Sequence, residues 1–177
     1  DFDLTCEEFE KIVLKQETIQ NIISQIDVLL NKQNDIKKER TNLENRISSL
    51  TPYLSVPESF NDFKPTKNVS IMLGILPINA MKDFNEFLRD CPLTTFETAG
   101  DGTILKIYSH NSESFLVTKK LNELGFNKAN FDLKTNAEDA IKTLNTRLKE
   151  LEQEELSLQQ SLRNFKDSLK ELKTMHD

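Results

Sequence analysis

Two long stretches of this chain place their apolar residues at alternating intervals of three and four. From about residue 5 to 51 one row of positions is Ile12, Ile19, Ile26, Gln33, Arg40 and Ile47. The companion row is Lys15, Ile22, Leu29, Ile36, Leu43 and Leu50, and no glycine or proline interrupts the stretch before Pro52. From about residue 136 to the end the pattern returns, with Ile141, Leu148, Glu155, Leu162, Leu169 and His176 alternating with Leu144, Leu151, Leu158, Phe165 and Leu172. A seam of this period predicts a coiled-coil helix. Each helix has ~40–45 residues and is ~60–65 Å long at 1.5 Å per residue. A narrow apolar stripe on a polar helix must be buried against a partner. Pairing of the two stretches within one chain, antiparallel, is the simplest solution; pairing of each with another chain is the alternative. Gln33, Arg40 and Glu155 are polar occupants of the seam. An antiparallel register with Leu50 near Ile141 or Leu144 brings Arg40 near Leu151 and Glu155 near Ile36, from where the two would reach toward each other along the seam and help fix register. The alternative is that both long side chains extend to water.

Between these helices the period changes. Residues 52–67 hold Pro52, Pro57 and Pro65 with Tyr53, Leu54, Val56, Phe60 and Phe63, and read as a linker packed onto a small α/β lobe. Val69 to Pro77 reads as a strand with Val69, Ile71, Leu73 and Ile75 on one face. Residues 78–91 read as a helix, 93–98 and 103–109 as strands joined by a turn at 99–102, 112–124 as a helix ended by Gly125, and 127–133 as a last strand. Asn136 is placed to cap the return helix, with Asp139 three residues on. The order strand-helix-strand-strand-helix-strand is the ferredoxin-like, split β-α-β arrangement. The predicted fold class is therefore α+β: a long antiparallel two-helix coiled coil carrying a ferredoxin-like (βαββαβ) lobe. The expected domains are helix 1 over 1–51, the lobe with its linker over 52–135, and the return helix over 136–177. With both lobe helices on one face of the sheet, the other face is expected to be open and to present Ser70, Met72, Gly74, Lys106 and Tyr108, unless the linker covers them.

Composition narrows the function classes. Charged residues make up 29% of the 177, and net charge is −6, whereas a nucleic-acid binder usually presents a basic surface. The candidate open face offers Tyr108 as its one aromatic and lacks the basic-Gly-aromatic strand of RNA-recognition domains. No apolar run is long enough to span a bilayer. The chain begins at Asp1 rather than Met, as expected of a piece of something larger. Cys6 and Cys91 have no metal-ligand spacing around them and read as reduced thiols. His110, in a Ser-His-Asn-Ser turn, and His176 lack a carboxylate or thiol partner at a recognised spacing. Gly100 and Gly102 belong to a turn rather than a phosphate loop. The run Glu150, Glu152, Glu154 and Glu155 is a solvated helix face. No catalytic constellation, cofactor site or small-molecule site is expected, and the chain reads as a structural interaction module.

Several runs, in order, carry a family resemblance. Leu50-Thr-Pro-Tyr-Leu54 closes a helix ahead of Thr66-Lys-Asn-Val-Ser-Ile-Met-Leu-Gly-Ile-Leu-Pro77. Leu121-Asn-Glu-Leu-Gly-Phe126 comes next, and then Ala137-Glu-Asp-Ala-Ile-Lys-Thr-Leu144 opens the return helix with Leu148 and Leu151. Together these resemble the distal cytosolic region of the membrane-anchored stator subunit of V-type and A-type ATPases, subunit a or subunit I. The resemblance implies a lobe on a coiled-coil strut that holds the peripheral-stalk subunits E and G on the cytoplasmic face of a membrane complex. The ion-conducting part would lie outside this chain. Met72, Lys106 and Tyr108 are the expected stalk-contacting residues. The alternative is a coiled-coil arm with a globular tip from an unrelated machine, dimerising through a hinge or contacting RNA.

Overall fold

The computed structural model describes residues 6–174, those at 8 and 171–174 by their backbone alone. Leu172's side chain and His176, both assigned to the seam, lie outside that description. The chain divides into two compact units, one formed by 1–44 with 146–177 and the other by 45–145.

The first unit is built from most of α1 (Cys6–Leu50) and most of α4 (Ala137–Thr174). Along α1 the seam positions from Lys15 to Leu50 are shielded, joined outside the seam by Glu39, whereas Ile12 is 46% exposed. The heptad spacing therefore corresponds to one physical stripe. Ile36, Leu43, Leu151 and Leu158 are buried, Leu151 completely. The helices run antiparallel: Arg40 meets Glu155, while Leu29 lines one groove with Leu158 and Ser161, and Ile26 lines another with Leu162 and Leu169. Descending α1 thus ascends α4.

The second unit contains the sheet. Its strands are β1 (Val69–Ile75), β2 (Thr94–Ala99), β3 (Ile104–His110) and β4 (Asn127–Lys128), in the order β2-β3-β1-β4, with every neighbouring pair antiparallel. Helices α2 (Met81–Leu88) and α3 (Asn111–Glu123) complete the ferredoxin-like βαββαβ order. One 3₁₀ turn (Ile78–Ala80) leads into α2. Two others (Thr51–Ser55 and Phe60–Phe63) form a strap between α1 and β1.

The sheet is covered on both sides. On one face Met72, Leu76, Leu105 and Ile107 pack with Phe84 of α2 and with Val117 and Leu121 of α3. On the other, Leu73 and Ile104 pack beneath Tyr53, Val56 and Phe60 of the strap, together with Leu50, Ala137 and Ala140. The expected open face is thus closed. A second correction concerns which residues share it. Met72 is paired with Ile107 and Leu73 with Lys106, and opposed residues of a ladder share a face. Met72 therefore lies on the helix side, and Lys106 and Tyr108 on the strap side. A central strand buried on both sides is nearly continuously apolar, so alternation in the sequence gives no sign of which row faces the helices.

The last strand is also shorter than the expected 127–133. After Lys128 the chain turns Phe131 inward, where its ring stands 5.6 Å from Tyr53 and 5.0 Å from Phe60. Packing there replaces strand pairing. The return helix begins as expected: the Asn136 side-chain oxygen accepts the Asp139 N–H at 2.9 Å.

Two glycines do specific work. Gly125 has φ +79° and ends α3 with Phe126 N–H on Leu121 O at 2.9 Å and Gly125 N–H on Asn122 O at 3.2 Å, a Schellman closure. That closure lays the Phe126 ring over Gly74, where a Cβ would stand 2.5 Å from Asn127 O.

Candidate functional site

Three polar constellations stand out. In the coil, Arg40 Nη2 donates to Glu155 Oε2 at 2.5 Å, with the two side chains 32% and 18% exposed. Both are polar occupants of the seam, and the structure brings them together. Beside them Arg147 holds Glu39 through two bonds of 2.8 and 3.1 Å, and reaches Glu150 at 3.2 Å and Glu154 at 3.0 Å. Its bonds to Glu39, Glu154 and Glu150 raise the guanidinium's pKa, and the Arg147 bond lowers that of Glu39. One cation thus gathers carboxylates from both helices.

The second constellation fastens the strap. Lys106, buried on the strap face, donates to Glu58 Oε1 at 2.5 Å. This hydrogen bond is the main reason the Glu58 carboxyl lies below its ordinary value of 4.5; burial opposes it. Glu58 Oε2 is enclosed with no hydrogen-bond partner. The strap is held further by Phe60 N–H on Thr135 O at 3.1 Å, Ser59 Oγ on Lys134 O at 2.8 Å and Asn136 Nδ2 on Pro57 O at 3.1 Å. Of the residues assigned to stalk contact, Met72 is buried beside α3, where Thr118 Oγ1 approaches its sulfur at 3.8 Å. Lys106 is committed to Glu58, and Tyr108 is half-buried. The three do not form one patch.

The third constellation joins β2 to α3. Glu113 accepts Leu93 N–H through both oxygens, at 3.2 and 3.1 Å, and the Thr94 hydroxyl at 2.7 Å; that hydroxyl also lies 2.9 Å from Ser109 Oγ. His110 Nδ1 accepts the Ser112 N–H at 3.2 Å and caps α3. Burial, with Glu113 and Asp90 nearby, raises the Cys91 thiol's pKa.

Sequence reasoning reached Arg40 and Glu155 because polar residues interrupt a periodic seam. It missed Glu58 and Glu113, whose partners are distant in the chain. Glu58 is one of two carboxylates, with Asp62, among the prolines and aromatic residues of the strap, so composition alone did not single it out.

Among the described residues no group of three or more His, Cys, Asp and Glu is placed to hold a metal ion. No helix there is long and apolar enough to cross a membrane. No family model matches the chain, and no curated protein matches it. Among solved structures, the chain is similar to the crystal structure of the cytoplasmic N-terminal domain of subunit I, homolog of subunit a, of V-ATPase, at 13% identity and a TM-score of 0.47. The match covers 78% of this chain and 50% of that one, so the chain spans about half the length of the protein it is similar to.

Proposed function

We propose that this chain is a non-catalytic stator arm of a rotary V-type or A-type ATPase, at the cytoplasmic face of a membrane complex, with its α/β lobe anchoring the peripheral-stalk subunits E and G. The observation that carries the reading is where the family-like runs fall. Gly74 of the Gly-Ile-Leu-Pro run sits under Phe126 of the Leu-Gly-Phe run. Leu50 and Tyr53 of the first run and Ala137, Ala140 and Leu144 of the last share one core. The runs resemble the family at positions that hold the second unit together, rather than at incidental surface positions.

Physical chemistry is compatible with this role. A stator part must resist load, and paired helices cross-linked by Arg40–Glu155 and Arg147–Glu39 resist sliding. Burial removes Met72 and Lys106 from direct stalk contact, so Tyr108 is the remaining member of the expected set to be offered to a partner. Calorimetric titration of this chain with a purified E–G pair from the same source tests the reading. Saturable one-to-one binding is expected. Absence of heat, together with no co-migration in sizing chromatography, counts against it.

A further inference from the structure

The strap and the edge of the sheet leave a notch that neither the coil nor the stalk reading uses. Strand β1 runs over seven residues, but β4 pairs with Gly74 and Ile75 alone. Beyond them Ala129 N–H reaches Leu73 O at 2.8 Å, and Thr66 N–H reaches Val69 O at 2.8 Å. In an antiparallel ladder the N–H and C=O of alternate residues point to the same side. Leu73 and Val69 point to the β4 side, and so does Ile71 between them, with no strand beside it. A cavity of 160 Å³ adjoins this gap, lined in part by Phe63, Phe131, Ile71, Lys64 and Lys128, and its lining includes no acidic side chain. Lys64 and Lys128 are exposed.

The size selects the occupant. Pockets for small molecules and cofactors span roughly 300–1,000 Å³. This one holds about five waters' share of liquid volume, the scale of a single large side chain. The apolar part of the wall, at Phe63, Phe131 and Ile71, calls for an apolar side chain, the two lysines of its polar part for acidic neighbours, and the free edge for a main chain in extended form.

We propose that this notch binds an extended acidic peptide segment of a partner protein, whose main chain pairs with Ile71 and whose one large apolar side chain fills the cavity at Phe63 and Phe131. The attraction between its carboxylates and Lys64 and Lys128 weakens with salt. The inference does not rest on the stator reading.

The test uses the 177-residue chain and fluorescein-labelled, end-blocked pentapeptides: Asp-Glu-Leu-Glu-Asp, the same with alanine at the centre, and Lys-Lys-Leu-Lys-Lys. Anisotropy is expected to show saturable binding of the leucine peptide, a loss of about tenfold or more for the alanine peptide, and no binding of the lysine peptide. The double variant Lys64→Glu/Lys128→Glu is expected to bind at least tenfold more weakly with an unchanged thermal melt. In amide NMR spectra the Ile71 signal is expected to shift on binding. Equal affinity for the leucine and alanine peptides would mean charge attraction alone and overturn the proposal, as would an indifferent double variant or an unmoved Ile71 amide. No binding at all would also overturn it, and would leave Lys64, Pro65 and Lys128 as residues that merely discourage edge pairing.

Discussion

At the scale of single residues, Gly74 and Glu58 show how much the second unit depends on close fits. A methyl group at Gly74 would meet both the Phe126 ring and the Asn127 carbonyl, and the backbone carbonyl cannot rotate aside as a side chain can. Gly74→Ala is expected to cost about 1–3 kcal/mol through overpacking. The loss is to be read from urea unfolding, with the amides of Asn127 and Lys128 losing exchange protection first. Glu58 provides a pH signature. Its carboxyl is held below 4.5 by Lys106, so its contribution to stability is present above the unfolded pKa and lost as pH falls through the folded one. The side chain is 39% exposed, which keeps that contribution within about 1 kcal/mol. The wild-type melting temperature should therefore fall more steeply below pH 4.5 than that of Glu58→Gln, and parallel pH profiles would refute the assignment. The cysteines should differ too. Cys6 is exposed, whereas Cys91 is buried with its pKa raised. A thiol reagent is expected to modify Cys6 in the native chain and Cys91 only after denaturation.

At the scale of elements, the coil tests what polar seam residues do. If Arg40 and Glu155 fix register, Arg40→Leu and Glu155→Leu should each destabilise the paired helices by leaving the other charge half-buried. The double variant should recover stability while losing specificity of pairing. A double-mutant cycle is expected to show coupling of about 0.5–3 kcal/mol. Cross-linking between cysteines introduced at neighbouring seam positions reports register, and an unchanged cross-linking pattern in the double variant would reject the role. The seam itself was legible because a heptad spacing admits one helical face, and the shielded positions of α1 and α4 follow it closely. Strand order was legible because each strand is bounded by turn residues or by a helix of different period. The face of β1 was not. Val69 to Leu76 is apolar on both rows apart from Ser70 and Gly74, and the choice between rows is made by α2 and α3, which lie far along the chain. The strap's closure of the second face was equally hidden. Tyr53 and Phe60 announce a need for burial, but only the position of Phe131 shows where they find it. For the candidate site, the places of Arg40 and Glu155 in the seam were readable from periodicity, with extension of both to water as the alternative to pairing, whereas the lysine of Glu58 and the grouping of Met72 apart from Tyr108 depend on the sheet register.

At the scale of the whole molecule, the boundaries of the two compact units do not coincide with the ends of the helices. The second unit spans 45–145, taking in the last residues of α1 and the first residues of α4. The reason lies in the second core. Leu50 is 1% exposed and Ala137 is fully buried, both against the strap and the sheet. A fragment of residues 52–135, cut where the helices begin and end, lacks Leu50, Ala137, Ala140 and Leu144. It exposes Tyr53, Val56 and Phe60 to water. Loss of the Leu50 side chain alone is worth about 2–5 kcal/mol, a large part of the ~5–15 kcal/mol that holds a domain of ordinary stability. The fragment 45–145 is therefore expected to unfold cooperatively in urea with dispersed amide NMR signals. The fragment 52–135 is expected to bind a hydrophobic dye and to lose its transition. Equal stability of the two fragments would mean that the strap alone seals the sheet, and that the helix ends contribute connection rather than core.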